Sequence, residues 1–117
     1  MITYEKKEIT VPTRDGERTI TAMVASNGLA YHLCPHRDGN GPDYSITHVP
    51  TGRIMNTKEG PVMFDTRAEC CLFIERVDSW FDWTKGEELR VLSKDERRAL
   101  SDRLLAMREE IVGMALF

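Results

Sequence analysis

Residues 18–34 read "RTITAMVASNGLAYHLC", and the reading of this stretch decides the fold. Two runs rich in β-branched and apolar residues flank Asn27-Gly28, a pair that tolerates positive φ at the corners of a tight hairpin turn. Strand side chains alternate with period two. Ile20, Ala22 and Val24 therefore share one face of the first run, about Arg18 to Ala25, and Leu29, Tyr31 and Leu33 share one face of the second, Leu29 to Cys34. Toward the N-terminus the signal repeats: "EITVPT" (8–13) and the first run flank "RDGE" (14–17), with Asp15-Gly16 as the turn. Three strands in a meander result.

Toward the C-terminus, "PHRDGNGPD" (35–43) consists of breakers and polar residues, and the chain returns as a fourth strand, "YSITHV" (44–49). In "PTG" (50–52), Pro50 suits the first corner of a turn and Gly52 a position of positive φ. A short strand, Arg53 to Asn56, follows, so about five strands are expected within residues 2–56.

After the loop "TKEGP" (57–61) the period changes from two to 3.6. Thr66-x-x-Glu69 has the form of a capping box, and Cys70, Phe73, Ile74 and Val77 recur three and four apart, which predicts a helix over 66–79. Ser93-x-x-Glu96 opens a second helix over 94–115, with Leu100, Leu104, Met107, Ile111 and Met114 as its stripe. The expectation is one α+β domain over 1–117: an antiparallel sheet packed on one face by two helices.

Composition narrows the class. The chain has 117 residues, 41% hydrophobic and 30% charged, which suits one globular domain with its own core rather than a disordered chain. Apolar runs fall short of the ~20 residues that cross a bilayer, so no membrane partner is expected. The opening "MITYEKKEIT" puts charges where a secretion signal needs an apolar stretch, and three cysteines cannot all pair, so the expected compartment is the cytoplasm. Net charge is −3, and it is unevenly spread: residues 59–88 hold eight Asp/Glu against three Lys/Arg. Direct nucleic-acid binding is not expected of such a chain.

Three groups of residues raise chemical possibilities. His32, Cys34 and His36 stand on alternate positions and would project from one strand face; with His48 on the returning strand they would make a zinc site if Pro35 bends the strand and the register brings His48 opposite. The structural alternative is the outer, solvent-facing row of the third strand. No other cofactor is suggested. Cys34 lacks a base aimed at its sulfur, and no nucleophile motif or phosphate loop is present, so catalysis is not expected.

The second group is "DSWFDWTKGEE" (78–88), where Trp80 and Trp83, the chain's two tryptophans, interleave with Asp78, Asp82, Glu87 and Glu88. Aromatics at a helix end seal a core; exposed, they anchor interfaces, and the acids would steer a basic partner. The third is Leu105, Val112 and Leu116, a second apolar face on the last helix that would pack on the first helix or be left for a second copy of the chain as a homodimer.

The succession "YSITHVPTGRIM" (44–55) and "FDTRAECCLFIERVDSWFDW" (64–83) resembles short orphan proteins of phages, prophages and related bacterial elements. The likeness lies in turn and cap chemistry and transfers no functional residue. It implies a protein that binds a host protein, as inhibitors of host defence such as anti-CRISPR proteins do. The expected function is thus non-enzymatic protein binding, the acidic segment masking a basic, nucleic-acid-binding surface of a host protein. A zinc protein and a homo-oligomeric accessory protein are the alternatives.

Overall fold

The computed structural model of the chain describes residues 2–13, 16–33, 44–86 and 91–114. It is an α+β structure. Strands β1 (Tyr4–Thr13) and β2 (Gly16–Ala25) pair antiparallel along their whole length, from Tyr4 opposite Ala25 to Thr13 opposite Gly16. Asp15 of the expected first turn lies outside the described residues.

The second turn is one residue longer than its Asn-Gly signal implies. Ser26, Asn27 and Gly28 join β2 to β3 (Leu29–Leu33); the Gly28 N–H donates to the Ala25 carbonyl at 3.0 Å, and Gly28 takes φ +97°. The Asn27 side chain caps this loop, its Oδ1 accepting from the Leu29 N–H at 3.1 Å. Strand β4 (Tyr44–His48) then runs antiparallel to β3, with Leu29 opposite His48 and His32 opposite Ser45.

The far edge of β4 is shared by two short strands. β5 (Arg53–Ile54) pairs with its end, and β8 (Met63–Phe64) with its beginning. Between them the chain makes a small hairpin, β6 (Asn56–Thr57) with β7 (Gly60–Pro61). The single strand expected over Arg53 to Asn56 is thus broken at Met55, whose side chain turns into the core while its N–H donates to the Ile46 carbonyl at 2.8 Å. The "TKEGP" loop contributes the hairpin's turn, and Gly60, at φ +111°, supplies the positive dihedral that lets so short a hairpin close.

Both capping boxes form. The Thr66 hydroxyl accepts from the Glu69 N–H and the Glu69 carboxylate returns to the Thr66 N–H, opening α1 (Arg67–Val77), which ends in a 3-10 turn over Asp78–Trp80. Ser93 and Glu96 do the same for α2 (Lys94–Met114). Cys70, Phe73, Ile74 and Val77 are fully buried, as the periodicity requires. Leu104 and Ile111 carry the stripe of α2 into the same core, while Met114, expected on that stripe, is 48% exposed and lies against Arg76. Phe64 and Phe73 join sheet to helix, ring centroids 5.4 Å apart. Full burial of a side chain of that size contributes about 1.5–3 kcal/mol.

The opposite face of the sheet is partly enclosed, although Glu5, Lys7 and Arg18 on that face are exposed. Val11, Ala22, Ala30, Ser45 and Thr47 are buried there, because the sheet rolls until β1 touches β5. The Thr10 carbonyl lies 3.7 Å from where a Cβ on Gly52 would sit. Small side chains on the inside of the roll are what permit the curvature. Two corrections to the sequence reading follow. His32 and its neighbours Ala30, Ser45 and Thr47 are interior, and Leu33, placed by alternation with Leu29 and Tyr31, is 61% exposed because it stands at the end of its strand. Among the described residues, no helix is long and apolar enough to cross a membrane.

Candidate functional site

The two described histidines of the metal reading are both buried, on opposite faces of the sheet. Directly opposed residues of an antiparallel pair share a face, so His32 keeps company with Ser45 and Thr47 inside the roll. His48, opposite Leu29, faces the helices. One ion therefore cannot take both rings; the register that the zinc reading needed is not the one formed. Cys34 and His36 lie outside the described residues. Nor is the row solvent-facing at His32, which is 3% exposed.

Each ring is held through both nitrogens, and the Ser45 hydroxyl lies a further 3.5 Å from His32 Nδ1. The His32 Nδ1–H donates to the Leu33 carbonyl at 3.0 Å, and Nε2 accepts from the Thr47 hydroxyl at 2.6 Å. The His48 Nε2–H donates to the Trp83 carbonyl at 2.6 Å, and Nδ1 accepts from the Thr51 hydroxyl at 2.9 Å. Tautomers follow from these partners, since a carbonyl only accepts. Burial pulls the pKa of both below the ordinary histidine value, against the smaller opposing effect of the carbonyls. Both are neutral, positioned side chains.

The segment 78–83 is a clamp between the helix end and the sheet. Trp83, expected as a partner-binding anchor, is 1% exposed: its indole N–H donates to the Val77 carbonyl at 2.8 Å, its carbonyl takes the His48 proton, and its ring meets Phe81 edge-on at 5.2 Å. A side chain so enclosed cannot anchor another protein without unfolding its own. Asp78 accepts from the Asn27 amide at 3.1 Å, tying the end of α1 to the β2–β3 loop. Asp82 is exposed; hydrogen bonds from the Thr84 hydroxyl, chiefly, hold its carboxyl below the usual range. Trp80 is half-buried under the Arg103 guanidinium, 4.0 Å from its ring centroid. Glu87 and Glu88 lie outside the described residues.

Of the extra face on the last helix, Val112 is half-buried and packs on the core, Leu105 is half-buried, and Leu116 is outside the described residues. Among the described residues, no three His, Cys, Asp or Glu side chains cluster so as to hold a metal ion.

A concavity the sequence reading did not find lies between the β4–β6 segment and the first turns of α2. It encloses about 570 Å³. Leu100 and Leu104 line the helix side, Ile54 and Met55 the strand side, and His48 and Trp83 its depth. Its lip is polar, with Thr51, Arg53, Asn56, Arg97 and Ser101. The walls are fixed to each other: the Lys58 N–H donates to the Ser101 hydroxyl at 2.9 Å, and Lys58 Nζ pairs with Asp102 at 3.1 Å. The sequence held part of this signal, because Arg97, Ser101 and Leu104 stand four and three apart on one helical face. The partner wall comes from a segment read simply as turn and strand. His48 reaches the cleft with its Nδ1 accepting from the hydroxyl of Thr51, which lines the same cleft.

Compared with known proteins, the chain matches no family model, no curated protein and no solved structure.

Proposed function

We propose that this chain is a non-enzymatic binding protein whose recognition site is the cleft between the β4–β6 segment and α2. The observation that carries this reading is the cleft's size and make-up: about 570 Å³, apolar within and polar at the lip, on two elements that are fastened together. Pockets of 300–1,000 Å³ with an apolar lining and a few placed polar groups are where proteins hold small ligands. The test is a titration of isotope-labelled protein with 1-naphthamide, a neutral apolar probe, followed by amide chemical shifts. Shifts concentrated at residues 53–56 and 97–104, and lost in a folded Ser101→Phe variant that fills the cleft, are expected. Shifts scattered over the surface would refute the reading.

A second reading keeps the protein partner. Asp78 and Asp82 are both exposed at one corner, with the half-buried Trp80 between them in sequence, and such a corner suits a basic, nucleic-acid-binding surface on a host protein of the kind phage-type inhibitors mask. It differs from the first in the place of contact.

A further inference from the structure

Thr51 and His48 meet in the cleft as a hydroxyl and a base. The Thr51 hydroxyl has two acceptors in reach, His48 Nδ1 at 2.9 Å and the His48 carbonyl at 3.3 Å, and the nearer is the ring nitrogen. Nδ1 can accept because Nε2 carries the ring proton, which it gives to the Trp83 carbonyl at 2.6 Å. Burial lowers the pKa of His48, which keeps that lone pair unprotonated near neutral pH. Thr51 Oγ1 accepts in turn from the Arg53 N–H at 3.4 Å, a long bond that leaves the oxygen a lone pair for attack. The Thr51 methyl lies 3.1 Å from where a Cβ on Gly86 would sit, so packing fixes the side chain on one flank while the hydroxyl faces the ring. Both residues line the cleft of about 570 Å³, across from Leu100 and Leu104. A hydroxyl bonded to a base that a third group orients, beside room for a ligand, is the arrangement of an activated nucleophile.

Resting on the reading of the cleft as a ligand site, we infer that Thr51 is an acyl acceptor: a carboxylic ester with a good leaving group binds in the cleft and passes its acyl group to the Thr51 hydroxyl. The apolar acyl chain lies along Leu100 and Leu104. Oγ1 attacks the carbonyl carbon while His48 Nδ1 takes the hydroxyl proton. The Oγ1–carbon bond forms, the bond from that carbon to the leaving oxygen breaks, and the leaving oxygen departs with the proton from Nδ1. His48 ends neutral and Thr51 ends as an ester, with no oxidant or reductant consumed. One acyl group is taken up per chain, which gives a binding protein a covalent mode of capture.

The probe is p-nitrophenyl butyrate, with nitrophenolate release followed by absorbance and the adduct located by mass spectrometry of the digested protein. One butyryl group per chain is expected, at Thr51, formed more slowly when 1-naphthamide fills the cleft. Thr51→Ser keeps a hydroxyl and is expected to keep the adduct at that position; Thr51→Val removes it. His48→Gln, checked for folding by circular dichroism, keeps the hydroxyl and is expected to slow acylation about a hundredfold. Adducts confined to lysines, or acylation of Thr51 at an undiminished rate in a folded His48→Gln variant, would overturn the inference, and cleft amides that still shift with naphthamide would then leave the ligand site standing. Failure of naphthamide to shift those amides would overturn the site and the inference together.

Discussion

The imidazole of His48 donates to the main-chain carbonyl of Trp83 at 2.6 Å, across 35 positions of sequence. This bond fastens the end of β4 to the segment that closes α1, in a place with almost no solvent exposure. Replacing His48 by Ala removes the donor and leaves a buried carbonyl unpaired, at a cost of about 1–3 kcal/mol in chemical denaturation. His48→Gln, which keeps an N–H, is expected to lose less. Trp83→Ala removes the ring itself and is expected to cost about 3–5 kcal/mol.

Acid should destabilise the fold before its carboxylates titrate. His32 and His48 have folded pKa values lowered by burial, so the unfolded chain takes up protons first as pH falls through about 6.5. Stability present above that pH is lost below it, each histidine removing up to about 1.4 kcal/mol per pH unit until its folded pKa is reached. Denaturation midpoints measured between pH 8 and pH 5 will show the decline, and His32→Asn or His48→Gln will flatten it. A pH-independent midpoint would contradict the neutral, buried placement.

Two glycines with similar dihedrals should respond differently to alanine. Gly60, at φ +111°, has open space where a Cβ would go, and Gly60→Ala should cost about 1 kcal/mol from backbone strain. Gly28, at φ +97°, would place its Cβ 2.7 Å from the Trp83 carbonyl oxygen. Gly28→Ala adds the displacement of that backbone, about 1–3 kcal/mol more. Thermal melts of the two variants check the difference.

Thiol reactivity should separate the adjacent cysteines. Burial pushes the Cys70 thiol up to about 12, and it has no solvent exposure, whereas Cys71 is half-buried. Iodoacetamide on the native protein, with sites read by mass spectrometry, will modify Cys71 and spare Cys70 until denaturant is added.

The acidic corner gives a test of the protein-partner reading. Charge reversal at Asp82, Glu87 and Glu88 should weaken capture of a basic host partner and reduce its salt dependence; Asp78→Lys belongs in a separate variant, because it breaks the bond to Asn27. Unchanged capture in the first variant removes this surface from consideration.

The meander, both helices and both capping boxes were legible because each rests on local chemistry: the Asn-Gly turn, alternating apolar residues, hydroxyl-to-glutamate spacing and the helical apolar period. The roll of the sheet was not, because it depends on contact between β1 and β5, some forty residues apart, and on small residues that look unremarkable singly. Trp83 reads the same in sequence whether it faces solvent or core; its position was decided by Gly28, Val77 and His48. Likewise His32, His36 and Cys34 share a strand parity, but only the β3–β4 register shows His48 on the other face. The cleft needed two walls distant in sequence, and one of them had no pattern to mark it.

The rolled sheet also bears on how this chain avoids its own copies. An open edge strand is a template on which identical chains can stack. β5 approaches β1 without pairing to it, and the exposed stretch Glu5-Lys6-Lys7-Glu8 of β1 is wholly charged, with a Glu5–Lys7 pair at 3.3 Å. Further along, Pro12 lacks an N–H to offer an incoming strand. Charge and a proline along the ten-residue β1 are thus the features that oppose stacking of copies on this edge, and neutralising Lys6 and Lys7 would weaken them.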